Sequence, residues 1–100
     1  MQRIALDAYV IDVLMPDLVG HDRRPATFIV YLYLSAQSTR SRRDVVPVSL
    51  QTIATKTGLS KSTVQSALRH LRWRGLLDPA VAATVTNPVR AVLRPWAPGR

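Results

Sequence analysis

The strongest constraint on how this chain folds lies between Ser49 and Gly75, where two helix starts and two helix stops follow one another without a gap. Ser49 is an N-cap for a helix predicted over Leu50–Thr57, because its hydroxyl can accept from an unsatisfied N–H of the first turn. Gly58 supplies the left-handed backbone that ends this helix. Leu59 follows, and Ser60 caps a second helix predicted over Lys61–Arg74 and closed by Gly75. The apolar positions agree with that division. Leu50, Ile53 and Ala54 share one face of the first helix, and the small Ala54 allows a second helix to cross close by. Val64, Ala67, Leu68 and Leu71 form an i, i+3, i+4, i+7 stripe on the second.

Upstream, Leu6, Tyr9, Val10, Val13 and Leu14 recur at helical spacing, with Asp7 and Asp12 off the stripe. This predicts an amphipathic helix over 6–14 that stops near Met15, because Pro16 disfavours the helical backbone before it. A further helix is predicted from Pro25, at the first helical position, to about Ser38. Its run Phe28–Leu34 is apolar around nearly the whole circumference, so this is the expected central core helix. Residues 39–45 read as a polar, basic loop. Val45-Val46-Pro47-Val48 reads as a short strand, with Pro47 confining it to an edge.

Composition narrows the class. The 100 residues are 47% hydrophobic and 20% charged, which is ordinary for one globular domain. The longest apolar run falls well short of the ~18 residues of a membrane span. Asp7 and Asp12 break what would otherwise be a signal-peptide core. No cysteine is present, which excludes disulfides and thiolate metal sites and agrees with a cytoplasmic location. The six acids are all Asp and scattered, with no Gly-rich phosphate loop, nucleophile elbow or His cluster, so neither an enzyme nor a metal or other cofactor is expected. The net charge of +8 is uneven: residues 1–39 carry three bases against four acids, and residues 40–100 carry eleven bases against two. A basic half of this kind is the footprint of a polyanion-facing surface.

The segment SLQTIATKTGLSKSTVQSALRHLRWRGLL (residues 49–77) resembles the motif of bacterial winged helix-turn-helix proteins, including GntR- and MarR-type regulators and the DNA-binding domains of some replication initiators. The resemblance, which covers about residues 45–95, implies the helix-turn-helix over 49–75 and a β-hairpin wing over 81–95; with the N-terminal helices read above over 1–40, the expected fold is mainly α with a small β-hairpin. The wing would pair Val81–Thr86 with Val89–Arg94 about Asn87-Pro88. It implies sequence-specific binding of duplex DNA by the second helix in the major groove, in transcription regulation, with replication or partition accessory binding and a protein-docking winged helix as the alternatives.

With the Val64–Leu68–Leu71 stripe inward, Lys61, Ser62, Gln65, Ser66 and Arg69 face out. Gln pairs with adenine, Arg with guanine, and Ser with base or phosphate. Lys61 and Thr63, near the helix N-terminus, suit phosphate. Arg72 and Arg74 are expected at the DNA backbone or in solvent. Arg90 would come from the wing, and Arg42 and Arg43, with Arg40, belong to a loop open to either solvation or DNA contact. Trp73 reads as a core edge or an interface anchor, His70 as a surface residue, and His21 as a loop residue with no evident partner. Tyr31, Tyr33 and Trp96 suit either the core or a homodimer interface on paired half-sites.

Overall fold

The computed structural model describes residues 1–81 and 89–97. Three α-helices, α1 (Pro25–Ser41), α2 (Leu50–Thr57) and α3 (Lys61–Trp73), follow a helical N-terminal segment, and two short strands, β1 (Val45–Pro47) and β2 (Val89–Ala91), form an antiparallel pair.

α1 is the centre of the molecule. Pro25 occupies its first turn, where a missing N–H costs nothing. Phe28, Val30, Tyr31 and Leu34 are buried, and the helix packs against the N-terminal segment, α2, α3 and β1 at once. An all-round apolar sequence requires that many neighbours. α1 also runs three residues past the expected end. The hydroxyls of Thr39 and Ser41 donate to the carbonyls of Ser35 (3.0 Å) and Ser38 (3.3 Å), so these polar residues bond back onto the helix instead of ending it.

The N-terminal segment departs from expectation. It does not stop at Met15: Val10–Leu14 and Pro16–His21 are both π-helical, with the Met15 N–H bonded to the Val10 carbonyl and the Asp22 N–H to that of Asp17 (2.8 Å). In an α-helix the Pro16 ring would press on the carbonyl four residues back. The wider i→i+5 turn before it and its own place at the start of the next turn remove that conflict. The buried set also differs from the expected stripe. Val10, Leu14 and Leu18 are buried, whereas Leu6, Tyr9 and Val13 lie on the outer side.

The C-terminal residues close back on this segment. Trp96 stacks on Tyr9 with ring centroids 4.6 Å apart and meets Tyr31 edge-on. Its Nε1 donates to Asp7 (3.1 Å). Tyr31 is fully buried and donates its hydroxyl hydrogen to the Leu93 carbonyl at 2.9 Å, so it belongs to the core. Burial also raises the pKa of the Tyr31 phenol.

β1 pairs with β2 in the register Val45↔Ala91, Val46↔Arg90, Pro47↔Val89, and a single bridge joins Leu77 to Val92. The described sheet therefore joins segments far apart in sequence and is not the expected hairpin. Most of the first arm of that hairpin, and the Asn87-Pro88 turn, fall outside the described residues.

Candidate nucleic-acid interface

The helix pair forms as its caps dictate. The Ser49 hydroxyl accepts from the Thr52 N–H (3.1 Å), and Ser60 accepts from Thr63 (3.2 Å). Gly58 sits at φ 79° and returns its N–H to the Ala54 carbonyl. α3 ends one residue earlier than expected, in a Schellman arrangement. The Leu76 N–H bonds to the Leu71 carbonyl (2.9 Å), and the N–H of Gly75, at φ 73°, bonds to that of Arg72 (3.1 Å). Ile53 and Ala54 of α2 are buried with Val64, Ala67, Leu68 and Leu71 of α3, while Leu50 and Leu59 pack on that core as half-buried residues.

With this stripe inward, the rest of α3 divides into a ridge and two flanks. Ser62, Arg69 and Trp73 lie opposite the core. Ser62 and Arg69 are exposed, and Trp73 is 79% exposed with its ring tilted against His70 (centroids 5.5 Å apart). The structure thus takes Trp73 out of the core and places it at the end of the outward ridge.

The first flank carries Gln65 and Arg72. With Arg69 they line an open cleft of about 480 Å³, completed by Leu50, Leu68, Pro79, Val81 and the β2 residue Arg90. Among the described residues no carboxylate lines it. Arg90 is half-buried there, bonded through Nη1 to the Val89 carbonyl (3.2 Å), with its Nε buried and unpaired. Burial, and then the positive charge of Arg72, lower the Arg90 pKa. Like charges are therefore held together in the cleft without an internal counter-ion, an arrangement that an incoming anion relieves. Lys61 and Ser62 are exposed on the first turn of α3. The Thr63 hydroxyl accepts from Ser60 (2.9 Å) and is tied into the cap.

The second flank is occupied by the protein itself. Ser66 accepts from Arg24 Nη1 at 3.2 Å. His70 is bonded through Nε2 to Asp22 (2.7 Å), and Arg74 is paired with both Asp17 and Asp22. His21 also bonds Asp22, at 2.9 Å. Hydrogen bonds from His70 and then His21, with the Arg74 charge and against the effect of burial, hold the Asp22 carboxyl below its usual pKa. Three expectations change here. His70 is a half-buried partner of an acid and not a surface residue, Arg74 is engaged rather than free for solvent or phosphate, and His21 ends a helical turn with two acids beside it. The sequence carried one signal for this pairing: His70 and Arg74 stand four apart on one flank, and Asp17 and Asp22 stand five apart upstream.

Of the expected contacts, the structure brings Gln65, Arg69, Arg72 and Arg90 together. Arg42 and Arg43 line a different recess, with Asp7, Asp44 and Arg94, which shares no residue with the cleft. Arg94 is itself paired with Asp44 (3.3 Å).

Two capped helices meeting at a glycine turn, with the second presenting a basic outer face, define a helix-turn-helix protein. Residues 24–77 match the family model described as a helix-turn-helix domain, and the chain, more than half of which is covered, belongs to that family. DNA binding is the function that this family implies. No curated protein and no solved structure matches the chain. No helix among the described residues is long and apolar enough to cross a membrane.

Proposed function

We propose that the chain is a sequence-reading protein of duplex DNA, acting as a bacterial transcription regulator of winged helix-turn-helix type in the cytoplasm, with α3 in the major groove and no catalytic role. The observation that carries this reading is the cleft of Arg69, Arg72 and Arg90, which adjoins the outer face of α3 and, among the described residues, has no acid in its lining. Gln65 stands in the same cleft, so an amide suited to adenine and an arginine suited to guanine lie beside cations suited to phosphate. Arg90, carried on β2, takes the part that a wing residue would take.

The test is fluorescence anisotropy of a labelled mixed-sequence duplex titrated with the protein at several salt concentrations. One phosphate for each of the three cleft arginines gives a slope of log K against log salt of about −2.7 or steeper. Absence of binding even at low salt overturns the reading and favours a protein-docking role with an acidic partner.

A further inference from the structure

The second flank of α3 changes character along its length. Toward the C-terminal end the side chains facing it are acids: Asp22 takes His70, and Asp17 and Asp22 take Arg74, so the charges there are internally matched. One turn nearer the start of α3, beside Ser66, the facing residue is Arg24. Its guanidinium carries five N–H donors, and the one bond it makes to a side chain goes to a hydroxyl, which accepts a hydrogen without neutralising the charge. Arg24 is exposed and, among the described residues, meets no carboxylate.

Its position is set by the main chain. The Arg24 N–H bonds to the Leu18 carbonyl at 2.8 Å, its own carbonyl accepts from Thr27 at 3.0 Å, and Pro25 starts α1 directly after it. These bonds fix the backbone of Arg24, and the bond to Ser66 places its guanidinium at the level of Gln65 and Arg69, on the flank of α3 away from the Arg90 cleft. A helix lying in the major groove is flanked by a phosphate strand on each side, the groove being about 12 Å wide. The Arg69–Arg72–Arg90 cleft serves one strand. The other requires a cation on the Ser66 side.

We propose that Arg24 makes the phosphate contact on that second lip, so that α3 is straddled by Arg90 from the sheet and Arg24 from the turn before α1. This rests on the DNA reading of the cleft and adds a residue from the part of the chain whose net charge is negative. Ser66 then stands beside the guanidinium as a groove-facing hydroxyl.

The experiment compares wild type, Arg24→Gln, Arg24→Lys and Ser66→Ala on the same labelled duplex across a range of salt, after circular dichroism melts show that each is folded. Arg24→Gln is expected to reduce the salt slope by about 0.9, so that its affinity deficit shrinks about 3.5-fold for a fourfold rise in salt. Arg24→Lys is expected to keep the wild-type slope. Ser66→Ala leaves the cation in place and is expected to change affinity without changing the slope. If Arg24→Gln keeps the full slope while wild type binds, Arg24 is only a brace for α3 and the inference falls while the DNA reading stands. A wild type that binds no duplex overturns both.

Discussion

Replacing Arg90 by methionine should move stability and DNA affinity in opposite directions. In the free protein this side chain is half-buried beside Arg72, and among the described residues its Nε has no partner and its one hydrogen bond runs to the adjacent Val89 carbonyl. Methionine keeps the unbranched stem that packs in the cleft and removes both the charge and the orphan donor. An unsatisfied buried donor costs about 1–3 kcal/mol, and the partial exposure of Arg90 places the gain at the lower end, about 1 kcal/mol. For a domain of this size, about 1 kcal/mol corresponds to a rise in Tm of about 4–8 °C.

On duplex DNA the same change removes one phosphate contact, lowering the slope of log K against log salt by about 0.9. The checks are a thermal melt of the free protein by circular dichroism and an anisotropy titration at low and raised salt. A variant that is less stable than wild type and binds DNA with an unaltered slope would refute the reasoning. Arg90 would then be a packing element whose charge is tolerated and not used.

Two further perturbations test the frame that holds the site. Gly58→Ala introduces a side chain at φ 79°, where no atom crowds it, so only the left-handed backbone is penalised; urea melts should show a loss of about 1–2 kcal/mol, and an unchanged midpoint would show that the turn is not confined to that conformation. Asp22→Asn removes the carboxylate that holds His70 and Arg74 and should cost about 1–3 kcal/mol near neutral pH. The Asp22 pKa is depressed below 3.8, so its stabilising effect is present above 3.8 and is lost as pH falls through the depressed value. Wild type and variant should therefore converge in acid, and a difference as wide at about pH 2 as at neutrality would contradict the carboxylate role.

The helix pair was legible because its signals are local. A Ser before each helix and a Gly after it act within a few residues, and the α3 stripe repeats over about two turns. The cleft members Gln65, Arg69 and Arg72 followed from that stripe by subtraction. What escaped is non-local. Asp22 and His70 are 48 positions apart and Asp17 and Arg74 are 57, so a charge tally by segment recorded surplus acids and surplus bases where the fold makes pairs. Arg24 was hidden in the same way, inside the half with a negative balance. The passage of the helical segment through Pro16 depends on Val10, Leu14 and Leu18 all finding the core, which no window around the proline reveals. Arg90 was expected on a wing strand paired with Val81–Thr86, most of which lies outside the described residues; the pairing that is described joins β2 to β1, more than forty residues upstream, and no local signal announces it.

The acids that hold His70 and Arg74 also divide α3 into two functional lengths. From Lys61 to Arg69 the outward side chains have few obligations to the rest of the chain; Ser62 and Thr63 meet the Ser60 cap, and Ser66 meets Arg24. From His70 onward the second flank is bolted to the N-terminal segment. The first length can therefore exchange residues with little effect on folding, while the second holds the rod at a constant angle. A lineage of such proteins, or an engineer, could acquire new target sequences by changing Lys61, Gln65 and Arg69 alone, because the aim of the helix is set by residues outside that interchangeable set.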